Sequence, residues 1–166
     1  ASVSAHATQY MSVEQAQKLI FGAAAQFERR DLKLNKDLAR DIEKAAGVRV
    51  RVLEVPLWEV TDNGKPAGYF IVDEVYGKHE FINYAIAPDP AGKVKQIEVL
   101  EYRETYGSQI RYPEWKAQFV GTSSIDPVKL ESDRQNMSGA TLSCRPVTAG
   151  VKRLLPSSDR GLRKNQ

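Results

Sequence analysis

The chain predicts an α+β fold: an antiparallel four-stranded meander, preceded by N-terminal helices and followed by a C-terminal helix. Three observations predict it. Apolar residues recur at helical spacing through the first third of the chain. From Val48 to Tyr102 the spacing becomes that of strands, interrupted only by connections of turn length. Beyond that, Val147, Val151, Leu154 and Leu155 return to one face of a helix, at offsets of four, seven and eight. Successive strands joined by short turns pair antiparallel with their neighbours, and helices confined to the two ends make the class α+β rather than α/β.

The first helix opens at Ser12-Val13-Glu14-Gln15, which has the form of a capping box, with Ser at the cap and Gln three residues on. Val13, Ala16, Leu19, Ile20, Ala23, Ala24 and Phe27 then make one apolar face, so the helix is expected to reach about Glu28. A second helix is expected from Asn35 to Ala46, with Leu38, Ile42, Ala45 and Ala46 inward and Gly47 just past its end. Arg29, Arg30 and Asp31 form a polar connector between the two. This third of the chain carries no chemistry and reads as scaffold.

In the β region, Val48, Val50 and Val52 alternate with Arg49 and Arg51, the period of a half-buried strand. Asp62-Asn63-Gly64-Lys65 is a hairpin signal, because the tight turn needs positive φ at its central residues. The returning strand is expected over about Ala67 to Tyr76. Phe81 to Ala87 is the third strand, Asp89-Pro90-Ala91-Gly92 the next turn, and Val94 to Tyr102 the fourth strand.

Composition narrows the function. The net charge is +3, but Lys152, Arg153, Arg160, Arg163 and Lys164 against Asp159 put +4 on the last segment, so the rest carries −1. The basic balance therefore belongs to the chain end, which reads as a solvated tail rather than a nucleic-acid groove. Apart from peripheral contact of that tail with acidic lipid, no membrane role is read, since no apolar run approaches the roughly 18 residues that span a bilayer. The single cysteine, Cys144, rules out an intrachain disulfide or a multi-cysteine cluster and reads as a small packed residue. His79 falls in a turn with no ligand partner at metal spacing. No Gly-rich nucleotide fingerprint is visible.

Two stretches carry chemistry. The first is Gln135 to Cys144, where Ser138, Gly139, Ala140, Thr141, Leu142 and Ser143 lead directly into the last helix. Ser143 is a natural N-cap and Pro146 sits in the first turn, where its missing N–H costs nothing. Thr141 thus brings a hydroxyl to a helix N-terminus, whose free N–H groups and dipole favour a phosphate. The same residues also read as a plain turn and cap, and the Asn136-Met137-Ser138 sequon as chance. The second stretch runs from Glu101 to Trp115, with Tyr102, Tyr106, Tyr112 and Trp115 around Glu104, Thr105 and Gly107. Trp115 and Phe119, four apart in a helix opened by Pro113, read as core residues; Arg103 and Arg111 read as solvent-facing.

Ser138-Gly139-Ala140-Thr141 followed by Leu142-Ser143 resembles the flavinylation motif of the FMN-binding domain family, which includes covalent-flavin subunits of bacterial NADH:quinone and ferredoxin:NAD oxidoreductases. Glu104-Thr105-Tyr106-Gly107, Ile110, Trp115, Phe119 and Gly121 resemble the family's Glu-Thr-Pro-Gly loop and Trp-x-x-x-Phe helix. The resemblance runs from about Gly68 to Leu155. Gln135 stands where the family usually has Asp, and Tyr106 where Pro is usual. The resemblance implies that a magnesium-dependent flavin transferase, using FAD, joins FMN through its phosphate to Thr141. It further implies that Ser138, Gly139, Ala140, Leu142 and Ser143 surround the phosphate, and that Glu104, Thr105 and Gly107 lie near the flavin.

The expected protein is therefore an exported flavoprotein that carries electrons, with a membrane reductase or cytochrome as electron partner, rather than a stand-alone enzyme. A covalent tether suits a periplasmic or otherwise extracytoplasmic protein, where a dissociated cofactor is lost. Ala5-His6-Ala7 fits a signal-peptidase site. The expected organisation is a flexible stretch over 1–11, possible remnant of a signal peptide, one FMN-binding domain over 12–155 and a basic flexible tail over 156–166. The alternatives are a non-catalytic periplasmic binding or regulatory module that holds FMN reversibly or not at all, and a docking protein without flavin.

Overall fold

The computed structural model describes residues 8–76, 81–102, 116–123 and 149–158. In chain order the elements are β1 (Thr8–Gln9), α1 (Val13–Phe21), β2 (Gln26–Arg29), β3 (Leu32–Lys33), α2 (Lys36–Ala46), β4 (Glu54–Val55), β5 (Leu57–Asp62), β6 (Lys65–Tyr76), β7 (Phe81–Pro88) and β8 (Val94–Tyr102). A further helix, α3, occupies residues 149–158. The main sheet has the order β1-β8-β7-β6-β5-β2, antiparallel throughout, and β3 and β4 form a separate pair. The meander β5 to β8 is the expected centre of an α+β fold; β2 and the two-residue β1 extend it at its edges.

The strand turns have the chemistry their residues dictate. Asn63 (φ 52°) and Gly64 (φ 76°) both take positive φ between Asp62 and Lys65, which pair across the hairpin. At the β7–β8 turn the Asp89 carboxylate accepts from the backbone N–H groups of Ala91 and Lys93, each at 2.9 Å.

Alternation along the strands divides the interior into two layers. On one face α1 places Ala16 and Ile20 over Val60, Phe70, Ala85, Ala87 and Leu100. On the other, α2 and α3 bring Leu38, Ile42, Val151, Leu154 and Leu155 onto Leu57, Ile71, Ile82, Tyr84, Ile86, Ile97 and Val99. Neighbours such as Phe70 and Ile71, or Val99 and Leu100, fall on opposite layers, as a period of two requires. Phe119 is fully buried in the second layer, the core role read from its spacing. Its turn is pinned to β8: Gly121 N–H donates to the Val94 carbonyl at 2.7 Å and Val94 N–H to that of Thr122 at 2.8 Å.

Three local expectations are corrected. Helix α1 forms its capping box, Ser12 N–H to Gln15 Oε1 at 2.8 Å and Gln15 N–H to Ser12 Oγ at 3.1 Å, but ends at Phe21 rather than near Glu28. Gly22 takes φ 90°, which turns the chain out of the helix. Phe27 then lies in β2 opposite Val60 and meets Phe21 and Phe70 edge-on, with centroids 5.9 and 6.5 Å apart. It is buried by a sheet partner instead of a helical stripe, while Leu19 on that supposed stripe is exposed.

Residues 48–52 are not a strand, although their alternation is real. Both sides of β5 are already taken by β2 and β6, so this segment finds no partner there. Val50 N–H is instead bound by the Glu43 carboxylate of α2 at 3.0 Å, and Val52 is exposed. The sheet's first meander strand is β5. Finally, α2 has the expected Asn35 cap, with Leu38 N–H donating to Oδ1 at 2.7 Å, and the left-handed Gly47, but Ala45 faces solvent.

Candidate functional site

The two-layer fold leaves a cleft of about 1150 Å³ where one end of the sheet meets the start of α1 and the first described turn of α3. Segment 48–54 forms one wall, the ends of β6 and β7 another, and Ala149, Gly150 and Arg153 of α3 a third. A bulge shapes its floor: Asn83 pairs with Glu101 and Tyr84 with Val99, so Leu100 is the extra residue. The Leu100 carbonyl accepts from Tyr10 N–H at 2.9 Å, which ties the chain entering α1 to the same spot. Tyr76 and Phe81, opposite each other on β6 and β7, are half exposed at the rim and stack edge-on at 5.0 Å.

Behind the wall lies a buried polar cluster. Asp73 on β6 and Tyr84 on β7 are direct cross-strand partners, and the Tyr84 hydroxyl donates to Asp73 Oδ2 at 2.8 Å. Arg153 of α3 forms an ion pair with the same oxygen. All three side chains are buried. Gly150, one turn earlier on α3, sits directly over them, and a Cβ there would collide with the Tyr84 hydroxyl and press on Val75. Its glycine is needed for close approach rather than for backbone freedom.

Removing Asp73 from water favours its neutral form, and this outweighs the attraction of Arg153 and the bond from Tyr84; its carboxyl is raised above the usual carboxylate value. Burial and the adjacent Asp73 charge raise the Tyr84 hydroxyl well above the ordinary tyrosine value. A buried pair of this kind contributes little net stability over an apolar substitute, but it penalises any arrangement that leaves one charge alone. It therefore specifies where α3 sits.

Arg153 corrects the reading of the chain end. It belongs to no solvated tail: α3 continues through residue 158, with Ser157 and Ser158 buried as well. The sequence does contain the signal. Arg153 falls between Val151 and Leu154 on the inward stripe, and Asp73 interrupts the apolar run Phe70-Ile71-Val72 on its core-facing parity. A lone charge on an apolar face asks for a partner.

Thr141, Ser138, Gly139, Ala140, Leu142, Ser143, Glu104, Thr105 and Gly107 lie outside the described residues, as do Trp115, Cys144 and His79. Their flanks do not. Glu101, three positions before Glu104, lines the cleft, and so does Ala149, eight positions after Thr141. The topology thus brings to one cleft the chain ends from which both chemically interesting stretches depart. Among the described residues no cluster of His, Cys, Asp and Glu could hold a metal, and no helix is long and apolar enough to cross a membrane.

A flat heteroaromatic group fits such a cleft. Val52, Val75, Tyr76 and Phe81 supply apolar and aromatic wall, and Arg49, Arg51 and Asn83 supply polar groups. Fold and site together define a small α+β domain with one cleft of cofactor size among the described residues. The family model of the FMN-binding domain matches residues 77–156. The match contains both stretches on which the resemblance was drawn.

The structure also resembles the crystal structure of NqrC from Shewanella oneidensis, with a TM-score of 0.57, 86% of each chain covered and 16% sequence identity. At that identity the likeness is one of fold. No curated protein matches the sequence significantly.

Proposed function

We propose that this chain is an extracytoplasmic electron carrier whose FMN is joined by a phosphoester to Thr141. One observation carries the reading: the cleft brings together one flank of each of the Glu104–Gly107 and Ser138–Ser143 stretches, at Glu101 and Ala149, inside the segment that matches the FMN-binding domain. A flavin transferase supplies the group from FAD with magnesium. The Thr141 oxygen attacks the phosphorus on the FMN side, the pyrophosphate bond breaks, AMP leaves and the hydroxyl proton is released. Gly139 and Ala140 would let the phosphate approach closely, and Ser138 and Ser143 would hydrogen-bond its oxygens. FMN supplies the one- and two-electron chemistry, while the protein holds the ring and sets its surroundings. Electrons come from a protein partner, a membrane reductase or a cytochrome, because no nicotinamide fingerprint is present in the sequence.

The test is the intact mass of the denatured protein, exported alongside an active transferase. The expected result is a gain of FMN minus water, mapped to the peptide containing Thr141. An unmodified mass overturns the covalent reading; yellow protein that loses its colour on denaturation then identifies reversible binding.

A further inference from the structure

We propose that Asp73 is a redox-linked proton site: it takes up a proton from water when an electron is delivered to the cleft, and gives it back when the electron leaves. The inference rests on the reading that the flavin ring occupies this cleft. It goes beyond that reading in naming the protein group that answers the added charge. The electron comes from the protein partner and the proton from water, and the carboxyl O–H is the only bond of the chain made or broken.

Geometry carries it. Asp73 and Arg153 both border the cleft, and their side chains, 6% and 10% exposed, are paired there with each other. Among the described residues they are the only charged residues that are both buried and on its wall. The same carboxylate accepts from the Tyr84 hydroxyl at 2.8 Å and from the Glu74 N–H. The remaining charged groups on the cleft are Arg49, Arg51 and Glu54 of the facing segment, Glu74 beside Asp73 on β6, Glu14 of α1 and Glu101 of β8. All but Glu101 are exposed, where salt and water screen them. Glu101 is half-buried and accepts from Asn83 Nδ2 at 3.5 Å.

With Asp73 ionised and Arg153 charged, the buried site is neutral. An electron delivered beside it adds a negative charge, and uncompensated charge held away from water is costly. A proton on Asp73 restores neutrality: Arg153 becomes the counter-ion of the added charge, and the neutral carboxyl keeps Tyr84 as its hydrogen-bond partner. Burial already raises this carboxyl above its ordinary value, so little further is needed to protonate it. Tyr84 does not supply the proton, since burial and the Asp73 charge hold its hydroxyl well above the ordinary tyrosine value. At an effective dielectric constant of about 20, one added charge at close range raises the proton affinity of the carboxyl about ten-fold or more.

The experiment records reduced-minus-oxidised infrared spectra and midpoint potentials of the full chain loaded with FMN and reduced at an electrode, over a pH series rising from 3.8. In wild type a protonated-carboxyl band is expected to appear on reduction within a window of pH and to vanish on either side of it. Within that window the potential falls more steeply with pH than in Asp73→Asn, which also loses the band. Arg153→Met, deprived of the charge that favours the ionised carboxyl, moves the window to higher pH. Glu54→Gln, which removes an exposed carboxylate from the same cleft, keeps the band and the window.

No band in wild type at any pH overturns the proposal without recourse to a variant. A band that survives in Asp73→Asn, or is lost in Glu54→Gln, assigns the proton to another carboxyl and overturns it as well. A window that stays in place in Arg153→Met overturns the exchange of charge partners on which it depends. A chain that retains no flavin overturns the flavin reading and this proposal with it, a result told apart from the others by the missing flavin absorbance.

Discussion

Tyr84 and Asp73 face each other across β7 and β6, both buried, and the tyrosine hydroxyl donates to the carboxylate at 2.8 Å. The bond directs a buried charge that has only one cationic partner among the described residues, Arg153. Tyr84→Phe keeps the ring and removes the donor. Since a hydrogen bond to a charged group contributes about 1.5–3 kcal/mol, the variant should lose that much stability, seen as a lower urea midpoint with unchanged slope.

The direction of the Asp73 shift fixes a pH dependence. Its carboxyl in the folded chain is raised above the ordinary value of 3.8, so the folded state holds the proton more tightly than the unfolded state does. The stability this contributes is fully present below the ordinary value and is lost as pH rises through the raised one. Asn at this position does not titrate. The melting-temperature advantage of wild type over Asp73→Asn should therefore shrink as pH is raised from 3.8. In Arg153→Met, which loses the attraction that lowers the carboxyl, the decline should extend to higher pH. An advantage that grows with pH in this range contradicts the assignment.

Gly150 sets two effects against each other. Alanine is the better helix former by about 1 kcal/mol, so Gly150→Ala in an isolated helix stabilises. In this protein the added Cβ meets the Tyr84 hydroxyl, Val75 and Asp73, and Tyr84 is fully buried with no room to withdraw. Overpacking of that kind costs about 1–3 kcal/mol, so the collision should outweigh the propensity gain. A lower denaturation midpoint for Gly150→Ala checks it; a higher one shows that α3 can lift off the sheet.

The contrast between these residues and the scaffold explains what was legible beforehand. Asn35 and Gly47 bound α2, Asn63-Gly64 makes the hairpin, and Asp89 organises its turn, each through chemistry contained within a few residues. Such signals survive in a bare sequence. The end of α1 was misread because Ala23, Ala24 and Phe27 satisfy a helical period while Gly22 had already turned the chain. Residues 48–52 were misread because alternation reports half burial, not the availability of a partner strand. The Asp73–Arg153 pair needs two elements 80 residues apart to be brought together, and only its anomaly, charge on an apolar face, shows in advance. The candidate flavin stretch is read through resemblance alone, from a contiguous motif, and lies outside the described residues.

Thr141 and Gln135 give the last prediction, which concerns chemistry rather than stability. Thr141→Ala removes the only oxygen proposed to carry the phosphate and takes away one hydroxyl and one methyl group. Covalent flavin should be lost completely while the unfolding free energy of the apoprotein stays within about 0.5 kcal/mol of wild type. Flavin still attached to the denatured variant places the bond elsewhere. Gln135 stands six residues before the threonine, where the family usually has Asp. If the transferase recognises a carboxylate there, Gln135→Asp should raise the modified fraction, or leave it unchanged where wild type is already complete. Timed intact-mass measurements separate these cases. A large loss on introducing Asp means that an amide at 135 is read in its own right, because the two side chains match in shape to within one methylene and differ in charge.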